Sequence, residues 1–161
     1  MYLADILKPE AIRVLSTASN KKRLFQEVSE LAHAVYGIDV FAACEALMER
    51  ESLGPTGVGH GVALPHTRLA GLDSVRGAFL ILDKPIEFAA VDRRPVDIAF
   101  AVFAPEDAGV DYLKALALVS RTLRQPGLCS KLRANLEASK LYAILTETQP
   151  VQAACTSPAK A

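Results

Sequence analysis

The residues best suited to chemistry lie in one stretch, Gly54 to Arg68, which reads GPTGVGHGVALPHTR. His66 is its sharpest feature. It follows Pro65, which stiffens the backbone, and comes at the end of an apolar segment, Val62-Ala63-Leu64, that reads as a short strand. An imidazole, with a reference pKa of about 6.5, is largely uncharged near neutral pH and is a good nitrogen nucleophile. Held at a strand end, it can attack phosphorus and carry a phosphoryl group covalently. The surroundings suit the same anion. Gly54, Gly57, Gly59 and Gly61 leave backbone N–H groups unshielded, and successive bare amides can form a concave nest for an anion. Thr56, Thr67 and Arg68 add hydroxyls and a guanidinium, and Arg50 lies just upstream, able to fold back onto the loop. His60 is expected to line the same site as a hydrogen-bond donor.

Plainer readings stand beside these. A glycine cluster without a fingerprint also serves as a structural loop, and a single histidine also serves as a hydrogen-bonded surface residue. Nucleotide motifs fail: no Gly-Lys-Ser/Thr follows the glycines, and the third glycine of the dinucleotide fingerprint falls on Val62. A metal-dependent hydrolase built on His60 and His66 lacks a third ligand at motif spacing, so neither a metal nor a cofactor is expected. No Gly-x-Ser-x-Gly elbow is present. Cys44, Cys129 and Cys155 lie far apart without a paired motif, which argues against a disulfide framework, a zinc ribbon and a thiol nucleophile. His33, between Ala32 and Ala34 on a helix, reads as structural.

The elements that must position the loop follow from periodicity and caps. Ser19 or Asn20 caps a helix running through Tyr36, with Leu24, Val28, Leu31 and Val35 on one face and Gly37 as its stop. Asp39 caps a second helix, which carries Val40, Ala43 and Leu47 and fades near Glu51. Upstream, Ile12 to Leu15 reads as a short strand. Downstream, Ala78 to Leu82 and Val96 to Phe103 are apolar runs rich in strand formers. Asp83-Lys84-Pro85 and Asp92 to Pro95 read as turns, with a half-exposed strand around Ile86 to Ala89 between them. Asp107 to Arg124 is the clearest helix, its face built by Leu113, Leu116, Ala117, Ser120 and Leu123. A last helical stretch covers Cys129 to about Thr146, and 148–161 is expected to be a disordered tail. Helices, then strands, then helices again imply a single-domain α/β sandwich over residues 1–147, with a mixed parallel and antiparallel sheet flanked by helices.

Composition bounds the function. The chain has 161 residues, 51% hydrophobic and 22% charged, enough to bury one real core. Lys and Arg number 18 against 18 Asp and Glu, so no excess of cations points to nucleic acid. The opening MYLADILKPE lacks the pattern of a signal peptide. The chain's longest apolar run, Ile98 to Ala104, is far short of the roughly 20 residues that span a bilayer. A soluble, cytoplasmic protein without membrane insertion is the expectation.

The stretch Thr56 to His66, TGVGHGVALPH, resembles the phosphorylation-site motif of phosphotransferase-system enzyme IIA domains of the fructose/mannitol type, most of all their nitrogen-branch regulatory members. Arg50-Glu51, Pro85-Ile86, Pro95-Val96-Asp97, Leu113-x-x-Leu116 and Leu132-Arg133 fall in the family's register, and the likeness covers about residues 3 to 146. The resemblance implies a phosphocarrier and regulator. His66 would accept a phosphoryl group on Nε2 from an HPr-like protein charged through a phosphoenolpyruvate-consuming enzyme I. Arg50, Thr56 and the loop amides, Gly57 among them, would support the phosphate, and Val58, Val62 and Leu69 would give the donor an apolar rim. Downstream, it implies regulated proteins such as potassium transporters or sensor kinases.

Two positions depart from the family pattern. Tyr112 stands where relatives commonly carry a second histidine, so a phenol replaces an imidazole at the phosphate site. His60 stands where many have asparagine, and would partly compensate. The free-standing length favours the regulatory branch over a sugar-transport IIA that passes phosphate to a IIB domain. A transfer-dead binding module of the same fold remains the other reading.

Overall fold

A computed structural model describes residues 1–154, those from 148 onward as helix backbone only. After a 3-10 turn at Leu3–Asp5 come β1 (Leu7–Leu15), α1 (Lys21–Tyr36) and α2 (Val40–Ser52). Next are β2 (Gly57–Gly59), β3 (Val62–Ala63), β4 (His66–Leu69), β5 (Arg76–Ile86) and β6 (Val96–Pro105). The chain closes with α3 (Val110–Leu123), α4 (Leu128–Ala134) and α5 (Ala138–Ala154). The expected tail, apart from the backbone of the end of α5, lies outside the described residues.

The six strands form one mixed sheet in the order β1-β5-β6-β3-β2, with β4 also paired to β6. β1 runs parallel to β5, β5 antiparallel to β6, and β3 and β4 both run parallel to β6. Side chains alternate across the sheet. Phe79, Ile81, Ile98, Phe100 and Val102 pack on one face with α3, α4 and α5 through Leu118, Leu128 and Leu141. Leu80, Leu82, Ala99, Ala101 and Phe103 pack on the other with Phe25, Val28 and Leu47 of α1 and α2. The expected sandwich is therefore the observed architecture.

The caps act as read: Asn20 accepts the Arg23 N–H at 2.9 Å, Asp39 accepts the Ala42 N–H at 2.8 Å, and Gly37 ends α1 in the left-handed region at φ 74°. His33 accordingly has a local role, its Nδ1 lying 3.0 Å from the Ile38 carbonyl just past the helix end. Four expectations need correction. β1 spans nine residues, because its parallel partner β5 tolerates the polar Lys8-Pro9-Glu10 across an irregularity in register. Asp83-Lys84-Pro85 is no turn: β5 continues through it to Ile86, with the register against β6 shifting between Ile81 and Ile86. The last helix is two, α4 and α5, separated at Asn135–Glu137. In α3 the buried face is Tyr112, Ala115, Leu118, Val119 and Thr122, while Leu113 stands 65% exposed. Lys114 and Arg121, seven residues apart, mark the outward side, so the apolar Leu113 lies outside and the Thr122 hydroxyl sits inside by donating to the Leu118 carbonyl at 2.8 Å.

Glycine in the loop is required by space at one position above all. A Cβ on Gly57 would stand 2.6 Å from the Ala90 Cβ and 2.9 Å from its Cα, backbone that cannot swing away. Gly57→Ala is therefore expected to destabilise the fold by about 1–3 kcal/mol, read as a lower urea midpoint with an unchanged m-value.

Candidate functional site

The site forms where one strand is interrupted. β3 and β4 lie end to end along the same side of β6, with Val62 opposite Ile98 and His66 opposite Val102, and Leu64-Pro65 breaks the run between them. His66 thus opens β4; the expected position at the end of the preceding strand is corrected by this second parallel pairing. The Pro65 carbonyl keeps the ladder going by accepting the Val102 N–H at 2.9 Å. Leu64 turns its amide the opposite way: its N–H donates to the Thr56 carbonyl at 2.8 Å, and its carbonyl lies 2.7 Å from His66 Nδ1. A carbonyl only accepts, so Nδ1 carries the hydrogen and Nε2 keeps the lone pair.

The His66 ring is half-buried, which disfavours its charged form and holds its pKa below the ordinary 6.5. The Leu64 hydrogen bond opposes that shift, the Arg50 guanidinium adds to it, and the Glu51 carboxylate opposes it. The result is a neutral imidazole with an available Nε2. His66 and Val102 share the sheet face that packs on α3, and there the Tyr112 ring meets the His66 ring edge-on, with centroids 6.2 Å apart at 62°. Burial pushes the Tyr112 phenol up from 10, with Arg68 and Arg50 pulling it down, so it is an O–H donor at neutral pH. Arg50, in the last turn of α2, donates to the Gly54 carbonyl at 3.0 Å. His66, Tyr112 and Arg50 are therefore gathered at one place.

Thr56 and Gly57 hold the loop from beneath. Thr56 is 3% exposed and donates its hydroxyl to Glu51, whose oxygens also accept the Thr56 N–H at 3.2 and 3.3 Å. Glu51 in turn pairs with Lys21 Nζ at 2.8 Å, and that ammonium sits 4.7 Å above the Phe88 ring. Gly57 provides the close approach to Ala90 already described. Glu51 and Lys21 were not among the residues singled out from sequence. Glu51 stood beside Arg50 in the motif lead-in, and a carboxylate next to a loop rich in amides was the one signal available.

His60 takes a different place. It is the first residue of the two-residue turn joining β2 to β3, where Gly59 pairs with Val62. His60 and Gly61 have φ of 58° and 80°, the double left-handed pattern of a type I′ hairpin, in which asparagine is favoured at the first position. Its N–H donates to Asp92 at 2.9 Å, and its carbonyl accepts from Arg133, which also forks onto Asp97. The His60 side chain borders a cleft of about 570 Å³ with Val62, Leu64, Arg124 and Arg133. Within that turn, Gly61 sits at φ 80°, where a side chain is strained, and a Cβ there would stand 2.5 Å from the Arg133 guanidinium and force it to shift.

Among the described residues no group of three or more His, Cys, Asp or Glu is placed to hold a metal ion. No helix among them is long and apolar enough to cross a membrane. The donor rim expected from Val58, Val62 and Leu69 is only partly exposed: Val58 is 51% accessible, but Val62 and Leu69 are buried in the sheet's packing. Exposed apolar side chains adjacent in sequence to the site residues are instead Leu53, Val110 and Leu113.

Comparison with known proteins agrees with this geometry. Residues 5–148 match the family described as phosphoenolpyruvate-dependent sugar phosphotransferase system, EIIA 2. A nitrogen regulatory protein of Bradyrhizobium diazoefficiens is 43% identical over 145 residues, covering 90% of this chain and 95% of the relative. The crystal structure of the nitrogen regulatory protein IIA-Ntr from Neisseria meningitidis superposes with a TM-score of 0.83 at 34% identity, covering 89% of this chain and 99% of that one. The mannitol IIA of Escherichia coli, 16% identical, shares the fold with a TM-score of 0.71 over 84% of this chain and 96% of its own. An interrupted strand that presents a neutral histidine, on a fold matched along nearly the whole chain, places this protein in the phosphotransferase-system EIIA 2 family, to which it belongs.

Proposed function

We propose that the protein is a phosphohistidine carrier and regulator that accepts a phosphoryl group on His66 Nε2 from an HPr-like donor. The Nδ1–H bond to the Leu64 carbonyl is the observation that carries this reading, because it leaves Nε2 as the nucleophile. Nε2 attacks phosphorus in line, the new N–P bond forms, and the donor's P–N bond breaks with its electron pair returning to the donor imidazole. The Nδ1 proton stays where it is. Positive charge therefore develops on the His66 ring against a carbonyl dipole that faces it already, without reorganisation. Arg50 and the Tyr112 hydroxyl supply a cation and a donor to the phosphoryl oxygens, while Thr56, Gly57 and His60 keep the loop in shape.

Transfer between two imidazoles is nearly symmetric, so the protein needs docking and charge stabilisation more than acid–base power. Leu53, Val110 and Leu113 supply the apolar surface on which a small donor protein docks, in the cytoplasm where such a phosphorelay operates. Phosphorylation then adds about two negative charges beside that surface, and partners that bind one state are disfavoured in the other.

The reading is tested by intact mass after incubation with phosphoenolpyruvate, enzyme I and an HPr-like donor. Wild type is expected to gain one acid-labile phosphoryl group and a folded His66→Ala none; an unlabelled wild type, with a control IIA labelled in the same tube, overturns it. The pKa shift gives a second test. Because the neutral ring is the nucleophile and its folded pKa lies below 6.5, the acceptance rate is expected to hold through neutral pH and fall only in acid below that folded value. Arg50→Gln removes a cation that opposes protonation, so the His66 pKa in an NMR titration is expected to rise above the wild-type value. A wild-type value at or above 6.5 contradicts the account.

A further inference from the structure

Arg68 lies two residues beyond His66 on β4, opposite Ala104 as His66 is opposite Val102. Alternation puts both side chains on the same sheet face, with Cα atoms about 7 Å apart. The Arg68 guanidinium stands 4.9 Å above the centroid of the Tyr112 ring, and that ring meets His66 edge-on. One of its nitrogens, Nη2, donates to the Ala108 carbonyl at 3.0 Å. No carboxylate among the described residues pairs with it, whereas Arg13 pairs with Glu27, Arg94 with Asp92 and Arg133 of α4 with Asp97. An exposed guanidinium on the same sheet face as a nucleophilic histidine, sharing the Tyr112 ring with it, with its charge uncompensated and most of its five N–H donors free, is suited to a doubly charged oxyanion. Tyr112 alone does not supply that charge, because its phenol stays neutral. Neither do the other two histidines: His33 faces the Ile38 carbonyl, and His60 belongs to the β2–β3 turn.

We infer that Arg68, braced on the Tyr112 ring, is the second cation of the phosphoryl site and contacts the phosphoryl oxygens carried on His66 Nε2. The inference rests on His66 as the acceptor. Arg50 approaches from the end of α2 and Arg68 from β4, so the phosphoryl group lies between two guanidiniums that come from different elements. The aromatic face of Tyr112 orients the guanidinium plane without neutralising it, a use of the ring that its hydroxyl does not provide. Arg68 bonds the Ala108 carbonyl when His66 is free, and turns its remaining donors to the phosphoryl oxygens when His66 is loaded.

The test follows the phosphorylated full-length protein by phosphorus NMR, comparing wild type, Arg68→Gln and Arg68→Lys. A cation beside the phosphoryl group favours its dianion, so Arg68→Gln is expected to raise the phosphoryl pKa and slow acceptance by about tenfold or more. Arg68→Lys is expected to restore most of the pKa, since it keeps the charge, with less recovery of rate, since it loses the planar fork. A role confined to bracing Ala108 moves thermal stability and leaves the phosphoryl pKa alone. Wild type that takes up phosphate, with an unchanged phosphoryl pKa and rate in Arg68→Gln, overturns the assignment of Arg68 while His66 stands. Wild type that takes up no phosphate overturns the carrier reading itself. If Arg68→Gln fails to fold, a phosphoryl pKa in Tyr112→Leu equal to that of wild type overturns the bracing, because the ring that orients the guanidinium is gone.

Discussion

One hydrogen bond sets what the rest of the site can do: His66 Nδ1–H to the Leu64 carbonyl, 2.7 Å long. It selects the tautomer, orients the ring and leaves Nε2 as the only basic nitrogen. It exists because backbone groups alternate along this edge: Pro65 turns its carbonyl to β6 and accepts the Val102 N–H, so the Leu64 groups face away from the ladder and its carbonyl is left for the ring two residues on. Pairing of β3 and β4 with β6 on both sides of Leu64-Pro65 keeps that carbonyl and that ring in place.

Everything around the break limits its freedom. Glu51 ties Thr56 to Lys21, Arg133 ties the β2–β3 turn to Asp97, and Gly57 lies against Ala90 with no space for a methyl group. Most of these contacts are electrostatic and partly sheltered, where a charge-assisted bond is worth more than on an open surface. They join α1, α2, α4 and the β5–β6 connection to one short loop. The transfer proposed for His66, in which the ring meets a donor's phosphorus in line, would gain directly from such fixation, since small misplacements cost large factors in rate.

Much of this was legible in the amino-acid sequence where the signal was local. Asn20, Gly37 and Asp39 mark helix ends because caps act within a few residues, and the glycine loop with His66 stood out for the same reason. Whatever depended on distant pairing did not show. β4 is a strand only because β6 lies beside it, and Asp83-Lys84-Pro85 carries every mark of a turn yet extends β5. In α3 the apolar Leu113 suggests an inward face, but it lies outside with Lys114 and Arg121, and the polar Thr122 lies inside. His60 looked like chemistry because it is a histidine near another; its backbone, at φ 58°, shows that it is first of all a turn residue. Lys21 lies far from the loop in sequence, and nothing local reveals that it balances Glu51.

The most direct measurement of the central claim is the tautomer of His66 in the unphosphorylated protein, read from two-bond proton–nitrogen correlations of the imidazole ring above neutral pH. The structure predicts a protonated Nδ1 and a basic Nε2, with His66→Ala removing that set of signals. A ring protonated on Nε2, or one exchanging freely between the two forms, would contradict the account, because the nitrogen assigned to attack phosphorus would then be occupied or unselected.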